Sequence, residues 1–552
     1  MKYHIVHLGC QMNQSDTERI QAVIEAMGYE ETPREEDAEL LGIVACSVRQ
    51  KAIDKVYSKI HQWNKWKNSK SLLTFVSGCI LPADREKFLD RFDLLFSINE
   101  LPDLPEMISQ YGITTPFSGG QFAKDMDLAP AAPSEPAASP GRPVGPMWLK
   151  DPRESQVLKL VDHQDSSAKL PSGESLNHRN ALYGDENRRE NTLSAIRAMQ
   201  NEVKNRGGGE KVKRSILPDA SGSGAPDPMS GFWNIKPHYR SPFEAFIPIQ
   251  NGCDKFCTFC AVPYTRGREV SRPSSEILAE VEDLLNRGYK SITLLGQNVN
   301  SYGLDKERDE IRFPELMRRI GEMGRDLGKE DDFLVYFTSP HPRDMTRDLL
   351  EIIAEYRCLA KQIHLPLQSG DDKLLIKMNR NHSLQRYREI VENIREILPE
   401  ATLFTDIIVG FTGETEEQFQ RTRRAMEEFQ YNMAFVAMYS PRPGAASSRW
   451  DDDIPQDEKK RRLHVLSEEL QKSSLAYNRL LVGRNMRVLV EGRDRSGRYL
   501  AGRSEGKLPV RFLHDDDSLI GQFVQLRISS ASELSLEGEL IETQVPGEVR
   551  RA

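Results

Sequence analysis

FEAFIPIQNGCDKFCTFC, residues 243–260, joins an apolar run to three closely spaced cysteines. Cys253, Cys257 and Cys260 form a CxxxCxxC motif, and three cysteines within eight residues cannot all pair with one another as disulfides. As thiolates they can turn toward one point, which is how iron–sulfur clusters are held, usually by four cysteines. A three-cysteine loop leaves one iron of a [4Fe–4S] cluster open to an outside ligand. The alternatives are a zinc loop that lacks its fourth ligand, or chance spacing.

Six apolar runs between residues 239 and 478 alternate with helical patterns, and each run ends in polar or glycine residues. Six strand–helix repeats predict an open (βα)6 barrel, in which the polar strand ends surround one mouth. Barrel enzymes place their chemistry at that mouth, and the cysteine loop follows the first run. Cys358 precedes its strand, so we expect it to be a structural thiol at the other end. The runs are FEAFIPIQNG, SITLLGQN, FLVYFTSP, QIHLPLQSG, TLFTDIIVGF and MAFVAMYSPRPG.

Three further cysteines lie far upstream, and each one ends a short apolar run. Cys10 ends HIVHLGC, Cys46 ends LLGIVAC and Cys79 ends SLLTFVSGC. Helical patterns follow these runs, which predicts a parallel α/β sheet whose strands share one carboxyl edge, where ligands bind. The geometry therefore predicts a second three-thiolate site. The alternative is that all three are buried cysteines that act as small apolar side chains.

The rest of the 552-residue chain divides by composition. We expect an N-terminal α/β domain over 1–117 and the barrel over 239–478. Residues 118–238 are rich in Pro, Gly, Ser and charged residues, which cannot bury enough apolar area to fold, so we expect a mostly disordered insertion. Short β-runs over 481–545 predict a small all-β barrel. Nine Lys or Arg against six Asp or Glu over 484–527 suit an RNA groove, but a solvated β surface explains these charges equally well.

The chain has no apolar stretch of the ~20 residues that span a bilayer. Its N-terminus enters a strand almost at once, without the apolar core and cleavage site of a signal peptide. Together with cysteines that we expect to be reduced, these features predict a cytoplasmic protein without membrane contact. The net charge of −8 gives no support for nucleic-acid binding by the chain as a whole, although a local patch is what meets phosphate.

Several motifs together resemble the methylthiotransferases of the radical S-adenosylmethionine (SAM) superfamily. The resemblance covers the chain apart from the insertion and is strongest to the branch that modifies dimethylallyl-adenosine in tRNA. Branches that act on threonylcarbamoyl-adenosine or on a ribosomal protein share the architecture. Ala45 and Thr412 stand where the family usually has Asn and Pro, but every cysteine is kept. The matching segments are HLGCQMNQSDTERI, ACSVRQKA, SGC, QNGCDKFCTFCAVPYTRGREVSRP, LLGQNVNSYG, HLPLQSG, MNRNHS, TDIIVGF, GETEEQF and YSPRPG.

The resemblance implies two [4Fe–4S] clusters, a radical-generating one on Cys253, Cys257 and Cys260 and an auxiliary one on the upstream triplet, Cys10, Cys46 and Cys79. It implies methylthiolation at C2 of N6-(dimethylallyl)adenosine next to the anticodon. One SAM methylates sulfur associated with the auxiliary cluster, and a second SAM, cleaved reductively, provides the radical that activates C2.

Partners and C-terminal domain also follow from the resemblance. It implies a TRAM domain that binds the anticodon loop of tRNA, and an electron donor such as flavodoxin or ferredoxin; we expect a monomer. A non-catalytic two-cluster electron carrier or redox sensor is the alternative of a different class. Such a carrier needs neither the barrel nor an RNA-binding domain.

Polar residues at the ends of barrel strands are weaker candidates for SAM binding, and ordinary turn chemistry is their alternative. These cofactor-binding candidates are Gly296, Gln297, Gln368, Ser369 and Asp406. Three arginines after the cysteine loop are candidates for binding the SAM carboxylate or RNA phosphate, although each taken singly is interpreted as a solvated charge. They are Arg266, Arg268 and Arg272.

Overall fold

A computed structural model of the chain describes residues 1–46, 50–67, 69–109, 229–306 and 310–541. Most of the predicted insertion therefore lies outside the described residues, and only its last part, 229–238, can be compared. There the expected disorder is wrong, because Phe232 and Trp233 are buried in the core of the N-terminal unit. The burial of two large aromatic side chains offsets the conformational entropy that this short segment loses when it is ordered.

The N-terminal unit is a parallel sheet in the order β2-β1-β3-β4-β5, flanked by helices. Its strands are β1 (Lys2–Leu8), β2 (Glu30–Glu31), β3 (Leu40–Cys46), β4 (Leu73–Cys79) and β5 (Leu94–Leu95). Its helices are α1 (Gln11–Ala26), α2 (Gln50–Trp66), α3 (Pro82–Leu89), α4 (Leu104–Ser109) and α5 (Ser230–Trp233). Both β3 and β4 are buried along their whole length, as expected for central strands covered on both faces. The strand order reverses between β1 and β3, and ligands bind at such a switch point.

The central unit consists of two parallel three-stranded sheets, β6-β9-β10 and β11-β12-β13, which a bridge between Val335 and Leu359 connects. All six predicted strands are present, so the open six-stranded barrel is confirmed. The strands are β6 (Glu244–Pro248), β7 (Gln250–Asn251), β8 (Val270–Ser271), β9 (Ser291–Leu295), β10 (Leu334–Phe337), β11 (Gln362–His364), β12 (Thr402–Val409) and β13 (Met433–Met438). The helices are α6 (Val262–Arg266), α7 (Ser274–Asn286), α8 (Phe313–Asp326), α9 (Arg347–Glu355), α10 (Asp372–Lys377), α11 (Leu384–Ile397), α12 (Glu416–Phe429) and α13 (Gln456–Leu480).

One apolar core lies between these strands and the helices that surround them. It contains Cys358, which is fully buried ahead of β11, as expected for a structural thiol. Burial raises the pKa of Cys358 to about 12, which keeps it protonated. Among the described residues, no helix is both long and apolar enough to cross a bilayer.

The C-terminal unit is a closed five-stranded barrel in the order β14-β15-β16-β18-β17. Its strands are β14 (Asn485–Arg493), β15 (Tyr499–Ser504), β16 (Pro509–Leu513), β17 (Phe523–Ala531) and β18 (Leu536–Leu540). The runs MRVLVEG, YLAGRS, LPVRFL and FVQLRIS predict the first four strands, and β18 closes the barrel by pairing parallel to β16 and antiparallel to β17. Its five residues, LEGEL, include two glutamates and a glycine, so its apolar signal is weak.

The C-terminal barrel packs on the base of the central barrel, where the core strands begin. Thr402, the first residue of β12, donates a hydrogen bond to the carbonyl oxygen of Gly506 at 2.7 Å. The Lys507 ammonium lies 4.1 Å from the centre of the Tyr336 ring. Phe523 packs against an apolar cluster that includes Tyr336 of β10. The C-terminal barrel therefore lies at the end of the central barrel opposite the mouth.

Candidate active site

The three upstream cysteines come together at the carboxyl edge of the N-terminal sheet. Cys46 and Cys79 end β3 and β4 and are paired in register, while Cys10 lies at the N-terminus of α1, just after β1. Both strand-end cysteines are buried, and Cys10 is partly exposed. The hydrogen bond with Cys46, together with burial, holds the pKa of the Cys79 thiol well above its usual range. Cys46 and Cys79 are therefore adjacent and Cys10 follows β1 at the same edge, while a cluster held by all three thiols stays a prediction.

Two close approaches around this triplet explain why glycines precede two of its cysteines. Gly78 has a φ of +105°, and a Cβ there would lie 2.4 Å from the carbonyl oxygen of Ala45. A Cβ on Gly9 would lie 2.3 Å from Oδ1 of Asn13. The buried Asn13 in turn accepts a hydrogen bond from the backbone of Cys10 at 3.4 Å and donates to Cys79 Sγ at 3.8 Å. The backbone is thus drawn tightly around the thiols.

The second triplet occupies the loop between β7 and α6, at the mouth of the central barrel. Cys253 is buried, and Cys257 and Cys260 are partly exposed. Burial raises the pKa of Cys253 to about 12. It also raises the pKa of Cys260 to about 11, and the neighbouring charges of Cys257 and Cys79 oppose ionisation further. Thiolate ligands crowded in this way need a positive partner, and metal binding releases their protons.

Another loop of the barrel holds the cysteine loop in shape. Asn379 donates hydrogen bonds to the carbonyl oxygens of Lys255 and Phe256 at 3.2 and 2.9 Å. Arg380 donates to Cys257 Sγ at 3.4 Å and to the carbonyl oxygen of Pro366 at 3.1 Å. Both residues belong to MNRNHS, a motif that suggested the family but no individual role. Their contacts could not be read from the sequence, because they join positions 123 and 124 residues apart.

The two triplets face each other across the contact between the N-terminal unit and the central barrel. Arg266, at the end of α6, donates a hydrogen bond from Nε to Cys79 Sγ at 3.0 Å and forms an ion pair with Asp16 of α1 at 2.5 Å. Burial opposes the charge of Arg266, but Asp16 and Cys79 hold its pKa well above the usual value. The interpretation of Arg266 as a solvated charge is therefore wrong.

The other two arginines differ from each other. Arg272 is buried and paired with Glu276 and Glu280, so it too is not a solvated charge. Arg268 keeps 44% of its side chain exposed and pairs with Asp254 at 2.8 Å. Only Arg268 matches the interpretation as a surface charge.

The strand-end candidates for SAM binding surround the same mouth, but their side chains are used differently. Gln297 accepts a hydrogen bond from the backbone of Gly252 at 2.6 Å, and Gly296 passes so close to Gln250 that a Cβ would lie 3.1 Å from its Oε1. Asp406 is partly exposed inside the barrel and lies 2.9 Å from Nε2 of His364. These positions leave Gly296 and Asp406 available to a ligand, whereas the Gln297 side chain is hydrogen-bonded to the start of the cysteine loop.

The remaining two candidates form the wall of the barrel. Gln368 has a φ of +69° and exchanges backbone hydrogen bonds with β12 at Asp406 and Ile408. The fully buried hydroxyl of Ser369 lies 3.4 Å from that of Thr422 in α12. The Ser369 side chain packs inside the protein wall against Thr422, so the structure gives no support to its role in SAM binding.

Several buried polar atoms near the mouth have no hydrogen-bond partner within the described protein, and an unpaired buried polar group costs ~1–3 kcal/mol. Such atoms are what a polar ligand satisfies. They are Gln250 Oε1, Glu269 Oε2, Asn298 Oδ1, His341 Nε2, Arg380 Nε and His382 Nε2. Burial lowers the pKa of His382 to about 4 and that of His341 further, so both rings are neutral at physiological pH.

The donor set fits an iron–sulfur cluster in each triplet. Among the described residues, no three His, Cys, Asp or Glu side chains are arranged to hold a single metal ion. A [4Fe–4S] cluster binds each thiolate to a different iron, so its ligands stand further apart than those around one zinc ion. Three thiols at each of two facing edges, with cationic or amide donors on the sulfurs, suit such clusters.

Comparison with known proteins agrees with this architecture. Residues 247–426 match the radical SAM superfamily, residues 2–97 match the uncharacterized protein family UPF0004, and residues 479–541 match the TRAM domain. The chain is 32% identical to the tRNA-2-methylthio-N(6)-dimethylallyladenosine synthase of Oceanobacillus iheyensis, over 99% of this chain and 85% of the relative. It is 31% identical to the enzyme of that name from Carboxydothermus hydrogenoformans, over 98% and 99%.

A solved radical SAM methyltransferase from Kitasatospora setae is similar at 12% identity and a TM-score of 0.46, covering 81% of this chain and 73% of the other. The fold and the cysteine loop define a radical SAM enzyme. Within that class, the chain belongs to the radical SAM methylthiotransferase family, and it is therefore a transferase. The alternative of a non-catalytic carrier or sensor is wrong.

Proposed function

We propose that this enzyme adds a methylthio group at C2 of N6-(dimethylallyl)adenosine next to the anticodon of tRNA. The relatives that match nearly the whole chain carry the name of that activity. The observation that carries the proposal is the pair of cysteine triplets at the contact between the two units, where Arg266, six residues after Cys260, donates a hydrogen bond to Cys79 Sγ. Methylthiolation needs both a means of activating an inert C–H carbon and a source of sulfur, and two facing sites can serve the two tasks.

Cys253, Cys257 and Cys260 would hold the radical-generating [4Fe–4S] cluster, and the upstream triplet, Cys10, Cys46 and Cys79, would hold the auxiliary one. Bound there, the two clusters supply reductive cleavage of SAM and sulfur for transfer, with two SAM consumed per product. The protein positions the reactants and excludes water and stray reductants. Flavodoxin or ferredoxin is the class of electron donor we propose.

The residues of the mouth have separable tasks in this scheme. Arg380 donates a hydrogen bond to Cys257 Sγ, while Asn379 keeps the cysteine loop in place. The partnerless atoms of Asn298 and Gln250 would accept hydrogen bonds from the ammonium group of SAM. The Asp406 carboxylate, beside His364 inside the barrel, would accept one from a ribose hydroxyl.

The TRAM-like C-terminal barrel is the proposed tRNA-binding unit. Four of its arginines form ion pairs with acidic residues of the same barrel, so they contribute little free charge to phosphate binding. They are Arg487, Arg493, Arg503 and Arg511, paired with Glu505, Asp517, Glu491 and Glu537. Arg484, Arg498 and Arg527 are exposed and are better placed for phosphate contacts.

The test uses anaerobically reconstituted full-length enzyme with SAM, a reductant and tRNA. One tRNA carries N6-(dimethylallyl)adenosine, and the matched control is the same transcript with unmodified adenosine. Nucleoside mass spectrometry should detect the methylthio product only from the first tRNA, and Cys257→Ala should abolish it. Modification of a ribosomal protein, with neither tRNA changed, would overturn the proposed substrate while leaving the chemistry in place.

A further inference from the structure

Arg266 follows the barrel triplet in sequence and contacts the upstream triplet through a buried side chain. It ends α6, six residues after Cys260, and its side chain is only 3% exposed. It reaches out of the central barrel to the N-terminal unit, where its Nε lies 3.0 Å from Cys79 Sγ. A cationic donor on the sulfur of a cluster ligand is a direct electrostatic influence on that ligand.

The other donors of Arg266 fix this geometry. Its Nη2 lies 2.5 Å from Oδ2 of Asp16, which is 1% exposed, and its Nη1 donates to Oδ1 of Asn251 at 3.1 Å. Asn251 returns a hydrogen bond to the carbonyl oxygen of Arg266 at 3.0 Å. Asp16 also accepts from Asn13 at 3.4 Å, whose amide lies 3.8 Å from Cys79 Sγ. The guanidinium is therefore held by both units and cannot turn away from the thiol.

We propose that Arg266 is a positioning residue that raises the reduction potential of the auxiliary cluster; this rests on the proposed role of Cys10, Cys46 and Cys79 as its ligands. Reduction adds one negative charge to a cluster, and a buried cation with a hydrogen bond to a ligand sulfur stabilises that added charge. Hydrogen bonds to the sulfurs and net charge are known determinants of cluster potentials. Asp16 compensates the charge of Arg266 only in part, because it accepts from Nη1 and Nη2, whereas Nε donates to Cys79 Sγ.

The ion pair between Arg266 and Asp16 also spans the two units, so a purely structural role must be separated from an electrostatic one. The background is a variant in which Cys253, Cys257 and Cys260 are all alanine, so that iron and electron paramagnetic resonance report only the auxiliary site. In it we compare Arg266→Gln, which removes the charge, with Arg266→Lys, which keeps it. Arg268→Gln is the control, because it removes an exposed arginine two residues away.

Each protein is reconstituted anaerobically, its iron is counted, and its midpoint potential is measured by titration with dithionite in the presence of mediators. Arg266→Gln should disfavour the reduced state at least tenfold, which is about 59 mV for a one-electron couple. Arg266→Lys should shift less, and Arg268→Gln should match the parent. The resonance of the reduced cluster should change in shape only in the Arg266 variants.

The outcomes separate this inference from the proposed function. A parent variant without iron would show that the upstream triplet holds no cluster, and would overturn both. A full cluster whose potential is unchanged in Arg266→Gln would overturn only the role of Arg266. If both Arg266 variants lose iron equally and melt at lower temperature, Arg266 acts through the fold and the inference is also overturned.

Discussion

Replacing Gly78 by alanine tests how the N-terminal sheet shapes the proposed auxiliary site. Gly78 has a φ of +105°, and the new Cβ would lie 2.4 Å from the Ala45 carbonyl oxygen and 2.8 Å from Nδ2 of Asn13. Holding a residue other than glycine in such a conformation costs ~1–3 kcal/mol, which corresponds to a change of about 5- to 150-fold in an equilibrium constant. The contact with a backbone oxygen adds to this cost, because β3 and β4 can separate only by breaking their pairing. The relaxation would displace Cys79, the next residue.

The assay is iron retained by the Cys253→Ala, Cys257→Ala, Cys260→Ala background, with and without Gly78→Ala, during competition with a chelator. Gly288→Ala is the matched control, because Gly288 has a φ of +84° but no heavy atom within 4 Å of the new Cβ. We expect at least fivefold weaker retention from Gly78→Ala and none of this loss from Gly288→Ala. Unchanged retention in Gly78→Ala would refute the reasoning, since it would show that the close approach does not shape the site.

Three further predictions concern the two triplets, the C-terminal barrel and a surface ion pair. Reconstituted enzyme should hold about eight irons, and Cys257→Ala and Cys46→Ala about four each; Cys46→Ala should still release 5′-deoxyadenosine but form no methylthio product. Truncation after Leu480 should weaken tRNA binding and flatten its salt dependence, since each lost phosphate contact removes roughly 0.7–0.9 from the log–log slope. The hydrogen bond with Glu25 raises the pKa of His238 above its usual 6.5. This pair therefore stabilises the fold fully below pH 6.5 and loses that contribution as pH rises through the raised pKa. Glu25→Gln should flatten the pH dependence of thermal unfolding in that window, by less than ~1 kcal/mol because the pair is exposed.

Each of these has an outcome that contradicts it. Zinc in place of iron, or equal iron in both cysteine variants, would remove the two-cluster interpretation. Unweakened tRNA binding by the truncated enzyme would mean that the C-terminal barrel is not the RNA-binding unit. An unaltered pH profile in Glu25→Gln would show that the contact with His238, at 2.6 Å, does not contribute measurably in solution.

The fold was predictable where the sequence signals are local. Each central-barrel strand is an apolar run that ends in polar residues, and all six were identified. Strand β18 was missed because its stability comes from two neighbours on either side and not from its own residues.

The site was predictable in its thiols but not in its cations. The spacing of the cysteines, and their position at the ends of parallel strands that share one edge, predict both sites. Arg266 could be seen only as a charge, because Asp16, which makes it a buried partner, lies 250 residues away in sequence. Burial and long-range pairing decide the role of such a residue, and neither leaves a trace in the neighbouring sequence.

The C-terminal barrel sits at the base of the central barrel, whereas the cysteines lie at the opposite end. The strands β6 and β12, which separate these ends, are five and eight residues long, or roughly 17–26 Å at ~3.3 Å per residue. Under the proposed function, an RNA gripped at both ends must run along the outside of the core for that distance. Only an RNA long enough to contact both ends would then bind with full affinity. A bare anticodon loop would be a poorer substrate than a whole tRNA, even though it carries the same adenosine.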